Sequence, residues 1–180
     1  IIFLGDSMTE GNGVEAYDRF TDILSRRFDN LEVYNYAIGS TGLDQHLLIY
    51  EKHCCESEHD VLVLTPHLGD MNRMVDTILS IDGNTGQSRI KIHKPYFELI
   101  NNDLVLRNSP VPKNRQYSAR KEKSSFKKFK TKIGSFLLSK KIVLRTKSQG
   151  YEDWANPRSY LYNLTKKIFE RVIELAGERK

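Results

Sequence analysis

Short apolar runs alternate with amphipathic stretches over the first 65 residues. The runs IIFL at 1–4 and VLVL at 61–64 are apolar without alternation, which is typical of strands buried on both faces. Residues 31–37, LEVYNYA, are rich in strand formers, whereas apolar positions recur every three or four residues over 17–28 and 44–55. The order strand, helix, strand, helix, strand predicts an α/β fold with parallel strands.

The pattern changes after Arg73. Residues 82–86 are typical of a loop, and the sequence PYFELINNDLVLR at 95–107, with its Asn-Asn-Asp turn, predicts a β-hairpin. The lysine-rich stretch 113–147 carries apolar residues at roughly helical spacing and predicts a basic amphipathic helix. A strongly amphipathic stretch from about Pro157 to Ala176, with Gly177 as its C-terminal cap, predicts another helix.

These elements define three segments of one domain, since 180 residues are enough for one sizeable core. Residues 1–83 form the first part of the α/β domain, 84–156 are an insertion of hairpin and basic segment, and 157–180 return a helix to the α/β layer. The chain begins on an apolar run and ends on GERK, so we expect both ends to be cuts through a longer protein. The compartment stays open: a signal or anchor upstream and a place in the cell envelope are compatible with the sequence.

Charge is distributed unevenly along the chain. The formal net charge is +5, but residues 113–147 hold thirteen Lys or Arg and a single acid, Glu122, a local charge of +12 that leaves −7 for the rest. Such a segment is a solvated helix face, a contact for an anionic polymer or lipid surface, or a nucleic-acid contact. We expect no nucleic acid, because the rest of the chain is acidic and no reader motif is present.

Metal and redox chemistry receive little support from the sequence. The two cysteines, Cys54 and Cys55, are adjacent, cannot readily pair with each other, and fall in a predicted helix. Small buried residues are the preferred interpretation. The histidines show no convincing ligand spacing with them, so we expect neither a metal nor another cofactor.

Ser7 is the candidate nucleophile. It follows the first predicted strand and a Gly5-Asp6 turn, so its hydroxyl is expected at the carboxyl edge of the sheet, where open α/β sheets bind ligands. A serine attacks an acyl group when a base takes its proton and N–H donors stabilise the oxyanion. The loops GSTG at 39–42 and LGDMN at 68–72 follow the next two strands and should border the same edge. The alternative is that Ser7 only caps the segment that follows.

Three blocks of the sequence resemble the SGNH (GDSL-like) hydrolases: GDSMTEG at 5–11, NYAIGSTGLDQ at 35–45 and VLVLTPHLGDMNR at 61–73. The resemblance implies a three-layer α/β/α sandwich with a parallel sheet, and a serine ester hydrolase with Ser7 as the nucleophile. It also implies an oxyanion hole made by the amides of Ser7 and of Gly39 or Ser40, with Asn72 as a further donor. An acylated carbohydrate or cell-envelope component is the implied substrate class, and the hairpin segment is similar to an insertion in larger bacterial members.

Two features depart from the family pattern. Gly69 stands where the third block normally has asparagine, which is why Asn72 is the substitute candidate. The family's Asp-x-x-His pair does not occur in this sequence, and we expect it after Lys180.

The candidate pocket is completed by Asp6, His67, Gly69 and Asp70. Asp6 is expected to bind backbone amides of its own turn, as aspartates in turns commonly do. His67 is a poor substitute base, because its loop position need not reach Ser7.

Two other functions stay open. With a sugar hydroxyl in place of water, the same site would act as an O-acyltransferase. A non-catalytic module that keeps the fold and binds an anionic polymer through its basic insertion is the alternative from another class, favoured by Gly69 and by the missing histidine.

Overall fold

The computed structural model describes residues 1–82, 88–113, 115–119 and 155–178. The strands are β1 (Ile2–Gly5), β2 (Tyr34–Asn35), β3 (Leu62–Thr65), β4 (Ile78–Asp82), β5 (Ser88–His93), β6 (Tyr96–Ile100), β7 (Asp103–Arg107) and β8 (Arg115–Ala119). The α-helices are α1 (Ser7–Glu10), α2 (Phe20–Arg27), α3 (Leu43–Ile49), α4 (Leu68–Arg73) and α5 (Tyr160–Gly177). A 3-10 turn at Ala16–Asp18 precedes α2, and a π-helical turn at Tyr50–Cys54 extends α3.

A parallel sheet of order β2-β1-β3 lies at the centre of the first 65 residues. In its register, Phe3 of β1 is opposite Asn35 of β2 on one side and Val63 of β3 on the other. The predicted mixed α/β fold with parallel strands is therefore confirmed. In this order the chain crosses over β1 on its way from β2 to β3. Because all three strands are parallel, their carboxyl ends lie at the same edge of the sheet.

The two faces of β1 pack against different helices. Phe3 meets Phe20 of α2 edge to face, with ring centroids 5.4 Å apart. Ile2 and Leu4 point to the opposite face, as alternation along a strand requires, and pack in a cluster with Tyr50 of the π-helical turn. Because β2 and β3 lie on opposite sides of β1, right-handed crossovers put α2 and α3 on opposite faces.

The first helix is shorter than its pattern predicts. The sequence predicted one helix over 17–28, but α2 spans only Phe20–Arg27 and the 3-10 turn precedes it. Tyr17 and Phe28 are exposed, so neither apolar residue gains a buried contact that would extend the helix. The helix predicted over 44–55 is observed as α3 and the π-helical turn, in which Cys54 is buried.

The main core lies between α3, α4, α5 and the β6–β7 hairpin. Its buried members are Leu43, Leu47, Met71, Met74, Phe97, Leu161, Leu164, Ile168 and Val172. The helix predicted from about Pro157 to Ala176 is present as α5, but Gly177 is its last residue, and Glu178 holds the C-cap position. The hairpin contributes Phe97 to this core, so it is packed into the domain rather than attached to its surface.

Antiparallel strands occupy the segment after α4. The predicted hairpin is observed as β6 and β7, and Asn101 and Asn102 at its turn both take positive φ values, 49° and 71°, as a type I′ turn requires. A second antiparallel sheet has the order β4-β5-β8. It begins at Ile78, upstream of the predicted boundary at residue 84, and Asp82 ends β4 instead of starting a loop.

Part of the basic stretch is a strand. Residues Arg115–Ala119 form β8 and pair with β5, so the prediction of a helix over 113–147 is wrong for this part. Pairing with β5 satisfies the backbone groups on the side of β8 that faces β5. Residues 120–154, which include the apolar residues at helical spacing, lie outside the described residues. Among the described helices, none combines the length and apolar character that crossing a bilayer would need.

Gly5 ends β1 in a position with no room for a side chain. An added Cβ would collide with the hydroxyl oxygens of Thr65 and Thr9 and lie 2.7 Å from the Thr9 Cβ. The two hydroxyls also hydrogen bond to each other, which fixes both side chains. Gly5→Ala is therefore expected to lower the free energy of unfolding, measured in urea, by about 1–3 kcal/mol.

The matched control for this substitution is Gly177→Ala. No heavy atom lies within 4 Å of a Cβ added at that position. Alanine is also the better helix former, so stability should be unchanged or slightly raised. A Gly5→Ala variant as stable as the control would contradict the tight packing described for the end of β1.

Candidate active site

Ser7 lies at the carboxyl edge of the parallel sheet. Ser7 is half-buried and is the first residue of α1. It follows β1 and Asp6, the buried N-cap residue of α1. The Asp6 carboxylate accepts a hydrogen bond from the Met8 amide at 3.0 Å, as the sequence predicted for this turn. Ser7 is therefore not enclosed in the core. Within the described part of the chain, its hydroxyl has no hydrogen-bond partner, so no base is in place beside it.

The loop after β2 packs directly against Ser7. The Ile38 amide donates to the Gly5 carbonyl at 3.1 Å, and this bond holds the loop beside the end of β1. A Cβ added to Gly39 would lie 3.4 Å from the Ser7 Cβ and 2.7 Å from Oε2 of Glu10, so a side chain at this position would displace the Glu10 carboxylate. Ser40 is exposed and takes a left-handed backbone with φ of 65°, which is uncommon for a residue other than glycine, asparagine or aspartate.

The amide of Gly39 already has an acceptor inside the protein. It donates to Oε2 of Glu10 at 2.7 Å. Glu10 lies three residues after Ser7 on α1, and residues three apart on a helix are neighbours on its surface. An ester oxygen that is to use the Gly39 N–H must therefore displace a carboxylate.

A cluster of charged groups joins the ends of β1 and β3. The Arg73 guanidinium lies 2.5 Å from Oδ1 of Asp70 and 3.5 Å from Oδ2 of Asp6. It also donates to the Thr41 carbonyl at 3.3 Å, which connects the loop after β2. Both carboxylates are buried, and burial raises the pKa of Asp70 above its ordinary value, while the nearby Arg73 charge opposes the rise. The cluster holds the three sequence blocks together.

The helix α4 and its N-cap carry three of the predicted site residues. His67 is the N-cap residue, and Gly69 and Asn72 lie in the helix. His67 is exposed, and its Nδ1 accepts from the Gly69 amide at 3.0 Å, so the neutral ring carries its proton on Nε2. In this tautomer neither nitrogen is free to take a proton from Ser7. The His67 amide in turn donates to Asp70 at 2.8 Å, which completes the cap. Asn72 is exposed on α4.

Asp6, His67 and Asp70 place one ligand atom each within 4.8 Å of one another, close enough to consider a metal ion. These ligand atoms already have partners within the protein, however. Arg73 supplies positive charge to both carboxylates, and the Gly69 amide occupies Nδ1 of His67. A cation would have to displace the guanidinium, so the group is better described as an ion-pair cluster.

A buried ion pair lies under the same loop. Oδ2 of Asp44, in the first turn of α3, is 2.8 Å from Nζ of Lys94, which precedes β6, and both side chains are almost fully buried. Burial raises the pKa of Asp44 to about 6, although the Lys94 charge acts in the opposite direction. His46, also buried, contacts Thr41 Oγ1 through Nε2 at 3.0 Å, and burial lowers its pKa to about 4.

Sequence reasoning missed three residues of this site, namely Glu10, Arg73 and Lys94. A signal was available for Glu10, because it is three residues from Ser7 within the predicted first block. A signal was also available for Arg73, which ends the third block. No sequence signal marked Lys94, because a single lysine between two strands is ordinarily solvated.

Comparison of the chain with protein-family models, with curated proteins and with solved structures finds no match.

Proposed function

We propose that this chain is the nucleophile-bearing part of an SGNH-type serine ester hydrolase, with β2-β1-β3 as part of the central sheet of a three-layer sandwich. The observation that carries the proposal is the position of Ser7. Its side chain is half-buried at the carboxyl end of β1, and the loop after the next strand places Gly39 beside it, where an added Cβ would lie 3.4 Å from the Ser7 Cβ. Open α/β sheets bind their ligands at this edge.

In the proposed reaction, Ser7 Oγ forms a bond to the carbonyl carbon of an acyl ester, and its proton passes to a histidine base. The carbonyl oxygen becomes an oxyanion, which accepts from the Ser7 and Gly39 amides. Collapse of this intermediate breaks the bond to the alcohol, which leaves with the proton and gives an acyl-serine. Water then releases the acid. With a sugar hydroxyl as acceptor in place of water, the same steps transfer the acyl group to the sugar.

The proposal has two definite requirements. The base must come from an Asp-x-x-His pair in the natural full-length protein, because the present sequence lacks that spacing and the neutral His67 ring offers no free acceptor. The Glu10 carboxylate must also leave the Gly39 amide when a substrate binds. Asn72 and Ser40, both exposed, remain candidates for the rest of the oxyanion hole.

The test is covalent labelling. Full-length protein treated with an ethyl fluorophosphonate should carry one label, and mass spectrometry should locate it on Ser7. Heat-denatured protein is the control, because an unactivated serine hydroxyl does not react at a useful rate. A label found on another serine, or no label at all, would overturn the proposal.

Removing the Glu10 carboxylate is expected to raise activity. Glu10→Ala frees the Gly39 N–H, and a hydrogen bond to a charged group is worth about 1.5–3 kcal/mol, so kcat/KM for a short acyl ester should rise by roughly 10- to 150-fold. Glu10→Gln, which keeps a neutral acceptor, should give a smaller rise. If both variants instead lose activity, Glu10 supports the Gly39 loop rather than competing with substrate.

One observation favours a second candidate function. The Gly39 amide already donates to the Glu10 carboxylate, so a substrate oxyanion cannot use it while this bond is in place. A non-catalytic module of this fold would tolerate that arrangement, because it needs no oxyanion hole. Such a module would bind an anionic polymer through the basic residues of 113–147. Retention of the protein on a polyuronate matrix at low salt, combined with no fluorophosphonate labelling, would favour this function over the hydrolase.

A further inference from the structure

A mainly apolar groove of about 440 Å³ lies beside the loop that carries Gly39. One wall is formed by the α3 residues Leu48 and Ile49, and the other by Leu79 of β4 and Leu106 of β7. Its volume falls within the range of roughly 300–1,000 Å³ that is usual for small-molecule sites. The hairpin thus encloses one side of a cavity that the parallel-sheet part of the chain leaves open.

Gly39 belongs both to this groove and to the surroundings of Ser7. It lines the groove, and an added Cβ would lie 2.7 Å from Oε2 of Glu10 and 3.4 Å from the Ser7 Cβ. Because Gly39 has no side chain, it obstructs little of the space between Ser7 and the groove. Once the Glu10 carboxylate has left the Gly39 amide, a group attached to the carbonyl carbon under attack at Ser7 can continue past Gly39 without meeting a side chain of that residue.

From this continuity we infer that the groove binds the acyl chain of the substrate, and that the chain is aliphatic and longer than acetyl. The inference rests on the proposed hydrolase function and adds to it the class of acyl group. The apolar walls match the hydrocarbon part of an acyl ester and not its sugar or alcohol part, whose hydroxyls would lose water without gaining partners. An acetyl group would leave these leucine and isoleucine side chains uncovered.

A chain-length series tests the inference in full-length protein. Wild-type kcat/KM should rise from p-nitrophenyl acetate to butyrate to octanoate, by at least about tenfold overall, since each buried methylene can contribute roughly fourfold. Leu106→Trp should remove this preference by filling the groove, while leaving acetate hydrolysis within about twofold of wild type. Leu106 is suited to the test because it is 36% exposed at the edge of the hairpin.

The matched control is Ile100→Trp, on the same hairpin, 37% exposed and not among the groove residues. It should retain the wild-type chain-length preference. Should Leu106→Trp fail to fold, Leu48→Trp fills the groove from the opposite wall. Acetate hydrolysis and labelling of Ser7 report correct folding in either variant.

The outcomes separate this inference from the function on which it rests. Ser7 labelling and acetate hydrolysis without any preference for longer chains would overturn the groove assignment and leave the hydrolase intact. Equal losses on acetate and octanoate in the folded Leu106→Trp variant would do the same. Failure of wild-type protein to label or to hydrolyse any ester would overturn the hydrolase proposal and the acyl groove together.

Discussion

Replacing Ser7 with alanine is expected to reduce kcat/KM for a short acyl ester by at least about 10³-fold, as removal of a serine nucleophile does elsewhere. The substitution removes only the Oγ that forms the acyl bond. It should not disturb folding, because α1 is capped by the Asp6 carboxylate and not by the Ser7 hydroxyl. Initial rates on p-nitrophenyl acetate, measured with full-length protein, give the comparison.

Ser25→Ala is the matched control. Ser25 is an exposed serine on α2, away from the carboxyl edge of the sheet, and its loss should leave the rate unchanged. Circular dichroism and urea unfolding of the Ser7→Ala variant should coincide with wild type. A folded Ser7→Ala protein that keeps more than about a tenth of the activity would show that another group attacks the ester.

Lys94→Met is expected to destabilise the fold by about 3–5 kcal/mol at pH 8, because it leaves the Asp44 carboxylate buried without its counter-ion. Within the described residues, Lys94 is the one cation paired with Asp44, and the Asp44 Oδ1 makes no hydrogen bond. Methionine resembles lysine in volume and shape, so the packing around position 94 should be kept. Urea unfolding monitored by circular dichroism measures the loss.

The same variant should depend on pH in a defined direction. Burial raises the pKa of Asp44 from its ordinary 3.8 to about 6, so the folded state holds a proton that the unfolded state releases in this window. The carboxyl's contribution to stability is therefore fully present below about pH 4 and is lost as pH rises through about 6. Without Lys94 the pKa rises further, so the destabilisation by Lys94→Met should be smaller at pH 5 than at pH 8.

The protonation of His46 changes the stability with pH in the opposite direction, so its contribution must be subtracted. Its lowered pKa means that the unfolded state takes up a proton first as pH falls, so its contribution is lost towards about pH 4. Subtracting wild type from variant at each pH removes most of this contribution, because burial is the main cause of the lowered His46 pKa and the Lys94 charge is a lesser one. The double variant Asp44→Leu with Lys94→Met should recover most of the stability, because neither charge remains. A single-variant loss below about 1 kcal/mol would mean that water reaches Asp44.

The parallel sheet could be predicted from local patterns alone. The runs IIFL and VLVL are continuous and apolar, which is typical of strands buried on both faces, and each is followed by a turn. The structure bears out this burial for β1, whereas β3 is only partly buried. The hairpin could also be predicted from the sequence, because the pair Asn101-Asn102 suits a turn with two positive φ values. Once the strands are ordered, the position of Ser7 at the sheet edge follows from chain direction.

Other features were harder to predict, for different reasons. The strand β5 had a signal that was missed: SRIKIH at 88–93 alternates polar and apolar residues. The strand β8 lies in a lysine-rich stretch whose composition suggested a helix, and its partner β5 overrides that preference. The contacts from Glu10 to Gly39 and from Lys94 to Asp44 join residues 29 and 50 positions apart, so no local pattern encodes them.

The buried pair between Asp44 and Lys94 also bears on how this domain can change over evolution. The hairpin segment brings the cation that neutralises an acid of α3, along with Phe97, which α3 and α5 enclose. A lineage that exchanged this segment for another would inherit an unmatched charge beneath the loop of Gly39 unless the replacement carried a basic residue at the same place. The accessory strands and the sheet that bears Ser7 should therefore have diversified as a unit.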